Sequence, residues 1–277
     1  MPDAFAYCAG LVRTADRDRY LATLFAPAEC RDGLYALYAF NSEVARVREV
    51  ARQPLPGEIR LQWWSEVLQG ERAAEAGANP VAAALLATVK HYQLAVSTLL
   101  ALVEARRFDV YNEPMAGIGD LEAYARKTAS TLFSLAGQIL AGGELSAAAD
   151  PAGMAYAIAV LLGAFPLHAA RGQLYVPIDV LERHQVRVAD VFSRRSSAGL
   201  AAALGELRTL ARRHLAAARE PLRQVPPEGL AALLPLALVG PLLARLDRTA
   251  AFVTTDISPW RRQWLIWRAA RNPARIA

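Results

Sequence analysis

Apolar and polar positions alternate along most of this chain at helical spacing. Between Leu34 and Arg48, the residues Leu34, Leu37, Tyr38, Asn41, Val44, Ala45 and Arg48 share one broad face, which predicts a buried helix that carries polar groups inward. Upstream, residues 4 to 25 predict a helix or a helix pair, its charged Leu11 to Tyr20 part leading into an apolar end at Phe25, and Pro27 stands where a following helix favours proline. Pro54, Pro56 and Gly57 predict a break. The next helix carries Ile59 to Leu68, and its adjacent Trp63 and Trp64 place one ring in the core and the other at its border. Gly70 to Pro80 reads as a polar loop, Val81 to Ala105 as one long helix, and Arg106 to Pro114 as its charged and aromatic end. Asp120 reads as the N-cap of a helix that runs to Gly142 and Gly143. Residues 151–170 form another apolar helix, Arg171 to Pro177 is extended or turn-like, and Ile178 to His184 is a short helix. Two helices at about 197–223 and 228–246 follow, and a last one spans about 258–272. With no strand alternation, nucleotide-binding glycine loop or regular repeat, the pattern predicts an all-α bundle of about ten helices.

Composition supports that reading. The 277 residues are 54% hydrophobic with few β-branched runs, enough for a sizeable core in a single domain, 1–277. The net charge of +5 rests on arginine, since Lys90 and Lys127 are the sole lysines. Arginine suits anionic headgroups, phosphates and carboxylates. The bias reads as genome composition, and no nucleic-acid partner is expected. Cys8 and Cys30 lack a CxxC or a nearby His cluster and read as two reduced thiols. The Met-Pro-Asp-Ala start lacks a basic region followed by an apolar core, so the cytoplasm is the expected compartment. Leu230 to Leu246, with Pro235 and Pro241, is short for a membrane span and reads as a core helix.

Four segments together resemble the squalene/phytoene synthase family: Pro27 to Glu49, the Trp63-Trp64 helix, Leu121 to Ser130, and the helix ending in Arg171-Gly-Gln-Leu-Tyr-Val-Pro177. The resemblance implies a single-domain isoprenoid-synthase-type helical bundle with a central cavity. Active members of the family join two prenyl diphosphates head to head. That chemistry needs two carboxylate clusters on facing helices, because Mg²⁺ takes hard oxygen ligands and bridges the diphosphate it helps to ionise. Here the first family box, Asp-Asp-x-x-Asp, is replaced by Ala45-Arg46-Val47-Arg48-Glu49, with one carboxylate. The second, Asp-Val-x-Glu-Asp, aligns on Ala164-Phe165-Pro166-Leu167-His168, with none. Two arginines beside Glu49 further oppose divalent cations. No metal, no cofactor and no catalytic residue is therefore expected. The Leu37 to Val47 and Phe165 to His168 stretches resemble a non-catalytic branch of the family that contains the mitochondrial assembly factor of respiratory complex I and its bacterial relatives. This implies a pseudoenzyme that acts in assembly of respiratory NADH:quinone oxidoreductase, with subunits of that complex as partners. The alternatives are a divergent head-to-head prenyl transferase, which would need Mg²⁺, and an isoprenoid- or lipid-binding protein that uses the old cavity.

The candidate residues carry two readings each. Tyr35, Phe40, Asn41 and Glu43, with Trp63 at their border, either line the inherited cavity or pack in the core. Arg46 and Arg48 either bind an anion or pair with Glu43, Glu49 or Asp109. Arg107 and Asp109 fall where synthases carry a Met-x-Asp segment, at the cavity mouth or on an exposed helix end. His168 is a general acid or base, or a structural residue. Arg171 and Tyr175 match a family turn that contacts diphosphate or braces the second box. At the C-terminus Trp260, Trp264 and Trp267 recur at i, i+4 and i+7, surrounded by Arg261, Arg262, Arg268, Arg271 and Arg275. Such a helix suits peripheral contact with the inner face of the cytoplasmic membrane. The other reading packs its tryptophans on the bundle.

Overall fold

The structure, a computed structural model, describes residues 3–47, 53–111, 113–143 and 145–277. Among the described residues all regular secondary structure is helical. Two compact units make up the chain: one holds Met1–Tyr111, Thr131–Ser146 and Val225–Leu234, the other Asn112–Ser130, Ala147–Gln224 and Pro235–Ala277.

In the first unit, Ala4–Ala15 and Arg17–Thr23 form the expected helix pair, hinged at Asp16. Its carboxylate caps the second helix by accepting the Arg19 N–H at 3.1 Å, and it pairs with the Arg19 guanidinium at 2.6 Å. Helix Ala28–Ala45 packs against Ala4–Ala15. It is buried nearly all round, with Tyr35, Leu37, Tyr38, Phe40, Asn41 and Val44 inside, which is the pattern of a helix at the centre of its unit. The helix stops at Ala45, so the altered first box begins at its end. Arg48 and Glu49 lie outside the described residues.

Several boundaries differ from the sequence pattern, each for a local reason. Helix Pro54–Gln69 begins at the proline where a break was predicted. A proline at the first position loses no helical hydrogen bond and has the right φ. Ala73–Ala78 makes a short helix inside the predicted polar loop. The predicted long helix 81–105 is two, Pro80–Tyr92 and Val96–Ala105, parted at Gln93 with φ 51°. The Gln138 amide, on helix Thr131–Ala141, holds that break by donating to the carbonyls of Tyr92 and Gln93, both at 3.2 Å.

In the second unit Asp120 sits in the first turn of helix Ile118–Ala125 and reaches back to the N–H groups of Ala116 and Gly117 at 2.9 and 3.2 Å. It satisfies end donors as an N-cap would, from the third helical position. A π-helical turn follows at Arg126–Ser130. The apolar 151–170 segment is Ser146–Gly163 and Phe165–Ala170, separated at Ala164, with Pro166 in the first turn of the second piece. Helix Ala198–Leu222, capped by the Ser197 hydroxyl, packs on Ile178–Arg183 and Val239–Leu246. His214 on it meets Glu122 at 2.8 Å.

The predicted single helix 228–246 is a chain of short turns, Pro227–Gly229, Leu230–Leu233, Leu234–Leu238 and Val239–Leu246. Pro235 and Pro241 have no N–H with which to continue one α-helix. Pro227–Leu246 is long and apolar enough to cross a membrane by length and composition, yet 67% of that window is buried within the protein.

Candidate functional site

The family's first chemical helix delivers its polar groups into a packed interior. Tyr35 stacks on Tyr20 with ring centres 5.7 Å apart, and burial pushes its phenol up from the ordinary value. Phe40 packs edge-on against Trp64 at 5.0 Å, and Trp64, 1% exposed, meets Trp63 at 5.1 Å. Trp63 is half-buried and donates its indole N–H to Glu75 at 2.9 Å. Hydrogen bonds from Arg72 and then from Trp63 hold the Glu75 carboxyl below its usual range. One ring inside and one at the border is the arrangement the sequence pattern predicted.

Asn41 is buried, and its Oδ1 accepts from Arg106 Nη2 at 3.5 Å. Arg106 Nη1 closes on Asp109 Oδ2 at 3.3 Å, with side chains 15% and 5% exposed. Asp109 is thus no exposed helix-end residue. Arg107, singled out in the sequence, points elsewhere. It meets Glu104 at 2.6 Å, Glu58 at 3.4 Å and Gln62 at 3.1 Å, on the rim of an open groove of about 390 Å³ that also includes Ser65 and Leu100. Arg106, at the C-cap of Val96–Ala105, is the less exposed of the two arginines, 15% against 28%. Glu43 pairs with Arg60, and Arg46 is exposed at the C-cap of Ala28–Ala45.

A buried cation, Arg19, escaped the sequence reading. Arg19, 6% exposed, lies 5.6 Å from the ring of Tyr38 and 5.7 Å from that of Phe133 while held by Asp16. The Asp16-x-x-Arg19 spacing ahead of an apolar run was the available signal. Burial also pushes the Tyr38 hydroxyl far above its ordinary value, with Arg19 opposing.

In the second unit the positions of the second box carry apolar packing. Phe165 and Pro166 are buried, Leu167 is half-exposed, and the His168 ring lies 4.6 Å from Tyr175, which lies 5.9 Å from Tyr124. His168 and Tyr175 border a small apolar cavity with Leu121, Ile158 and Leu162. Arg171 is exposed where the extended segment begins. Next to this region the π-helical turn is tied down by Ser130, whose hydroxyl donates to the Asp150 carbonyl at 2.9 Å, and by Arg126, which meets the Asp150 carboxylate at 2.9 Å. Nothing in the local periodicity marks that turn.

The donors present do not fit the family's magnesium site. Ala45, Arg46 and Val47 carry no carboxylate, and neither does any residue from 164 to 168. Among the described residues no three His, Cys, Asp or Glu side chains come together where they could hold a metal ion.

The last helix, Pro259–Arg271, packs through Leu265, Ile266 and Ala269. Trp260, Trp264 and Trp267 are 83%, 50% and 47% exposed. The reading in which they pack on the bundle is therefore corrected: the face that does so is the opposite one.

This all-helical architecture is the isoprenoid synthase fold. A dehydrosqualene synthase solved in complex with ligand superposes with a TM-score of 0.82 at 17% identity, covering 97% of this chain and 95% of that chain. The squalene synthase HpnC from Alicyclobacillus acidocaldarius does so at 0.76 and 24%, covering 88% and 93%. The profile of the family described as Squalene/phytoene synthase matches residues 12–268, and the chain belongs to that family. It is 31% identical over 250 residues, 90% of its length and 75% of the relative's, to NADH dehydrogenase (ubiquinone) complex I, assembly factor 6 from Rattus norvegicus. It is 30% identical to the homolog of that factor from Drosophila melanogaster over 98% of its length and 81% of the relative's. Similarity to the phytoene synthase of Thermus thermophilus is more distant, 27% over 199 residues, 70% of this chain and 66% of that one.

Proposed function

We propose that this protein is a non-catalytic member of the squalene/phytoene synthase family that acts in assembly of the respiratory NADH:quinone oxidoreductase, with subunits of that complex as its partners. The observation that carries the proposal is the replacement of the second carboxylate box by Ala164-Phe165-Pro166-Leu167-His168, where His168 is engaged with Tyr175 in aromatic packing. Without oxygen donors on that side, no Mg²⁺ can be held against a diphosphate leaving group in the family's manner. The relatives named as complex I assembly factor 6, similar over most of the chain, support the direction of the reading. It calls for no resident cofactor.

Deleting the gene is expected to lower the amount of assembled, active complex I, with rescue by the intact gene. Wild-type levels in the deletion strain would sink the proposal.

The distant likeness to a phytoene synthase favours one second reading, a divergent Mg²⁺-requiring prenyl transferase that also grips diphosphate through arginines. Pure protein incubated with farnesyl or geranylgeranyl diphosphate and Mg²⁺ separates the two. Head-to-head product would establish the second reading; intact substrate beside an active synthase control is the expected result.

A further inference from the structure

Trp260, at 83% exposure, is the most exposed large hydrophobic side chain among the described residues, and it begins a stripe. At about 100° per residue, Trp260, Trp264 and Trp267 fall within about 60° of one another around the axis of Pro259–Arg271, while Leu265, Ile266 and Ala269 fall on the far side. The helix thus buries its aliphatic residues and presents indoles outward. This inverts the usual economy of a soluble surface, on which tryptophan seldom stands in the open.

The same face is cationic. From residue 257 to the end the chain has five arginines and no Asp or Glu. Arg262 turns inward, 14% exposed, and pairs with Asp256. Arg271 lies on the indole face and Arg268 on its border. Their guanidinium groups stand 5.4 Å over the Trp267 ring and 4.4 Å over the Trp264 ring. Arg261, next to Trp260, is exposed on the same border as Arg268. Indoles and guanidinium groups therefore share one strip at one height, along a helix three to four turns long.

We propose that this strip docks on the surface of an anionic phospholipid bilayer, lying parallel to it. The indoles enter the boundary between headgroups and acyl chains, where an amphipathic ring keeps its N–H near water, and Arg261, Arg268 and Arg271 meet lipid phosphates. The charge of the strip selects this occupant: it is purely basic, and a bilayer containing acidic lipid offers phosphates at any lateral position together with an apolar layer beneath. The inference stands on the helix alone and is independent of the assembly role.

The test uses the intact protein and vesicles of phosphatidylcholine with or without phosphatidylglycerol, read by flotation and by quenching of tryptophan emission with brominated phosphatidylcholine. Partition is expected to be at least about tenfold stronger with phosphatidylglycerol, to fall with added salt, and to be accompanied by quenching. The triple variant W260A/W264A/W267A, which leaves Trp63 and Trp64 as the emitting residues, should lose the quenching and at least about tenfold of the partition. R261Q/R268Q/R271Q should lose the preference for phosphatidylglycerol. Thermal melts of both variants report whether the fold survives, and Trp260→Ala alone, at the most exposed position, serves if the triple variant does not fold. Equal partition of wild type and tryptophan variants, binding without quenching, or tryptophan-dependent capture of a protein with no uptake onto vesicles would each overturn the proposal.

Discussion

Arg106 reaches Asp109 at 3.3 Å with one nitrogen and Asn41 at 3.5 Å with the other, inside the first unit. A guanidinium shared between a buried carboxylate and a buried amide is held by both, so its neighbours depend on it. Replacing Arg106 with Met removes the guanidinium that faces buried Asp109 and Asn41, and the expected loss is about 1.5–3 kcal/mol of unfolding free energy. R106M/D109L also replaces the buried carboxylate and should recover part of that loss, because apolar pairs substitute well for buried ion pairs. Urea denaturation of the three proteins checks the ordering. Equal stability of wild type and R106M would show the pair to be solvated.

Gly153 sits where an added Cβ would come within 2.3 Å of the backbone of Ser130. Backbone cannot yield as a side-chain tip does, so Gly153→Ala should separate Ser146–Gly163 from the π-helical turn and cost more than about 2 kcal/mol. Gly10 provides the contrast, since nothing lies within 4 Å of its Cβ position in helix Ala4–Ala15. Gly10→Ala should raise stability by about 0.5–1 kcal/mol. The pair, measured by thermal and urea unfolding, distinguishes a packing glycine from a tolerated one.

Burial pushes the Cys8 thiol from 9.0 up to about 12. Below pH 9 the thiol is protonated whether the chain is folded or not, and it contributes no pH dependence. Between pH 9 and about 12 the unfolded chain loses the proton while the folded chain keeps it, so stability falls as pH rises, by up to about 1.4 kcal/mol per pH unit from this group. Unfolding free energies at pH 8 and pH 10.5 should therefore converge more closely in Cys8→Ala than in wild type. Native protein at pH 8 should also leave Cys8 unreactive toward a thiol reagent until it is unfolded.

Gln93 takes φ 51° at the break between Pro80–Tyr92 and Val96–Ala105. An L-residue with a Cβ pays about 1 kcal/mol in that region and glycine does not, so Gln93→Gly should be neutral to stabilising by about that amount. Gln93→Pro, whose ring enforces negative φ, should destabilise by several kcal/mol. Calorimetric midpoints of the two variants decide; a stable proline variant would mean the break is not required.

How much of this was readable beforehand differs from residue to residue. That one ring of the Trp63-Trp64 pair is buried and the other stands at its border followed from their adjacency on an amphipathic helix, but only the packing shows that Trp64 is the inner one. Arg107 and Asp109 were left between a cavity mouth and an exposed helix end, and only the packing shows Asp109 buried against Arg106 while Arg107 faces Glu104, Glu58 and Gln62. The membrane-like spacing of the three tryptophans was plain, but the same spacing served an inward face equally well.

Composition and helical periodicity by themselves determined the class of fold and the order of most helices, since these depend on residue type and local spacing. Tertiary structure alone decided where long apolar stretches break, which arginine faces buried Asp109 and which side of the last helix meets the surroundings. Those outcomes turn on hydrogen bonds and close approaches between residues far apart in the chain, Gln138 with Gln93, Ser130 with Gly153, Asn41 with Arg106, and no local pattern encodes them.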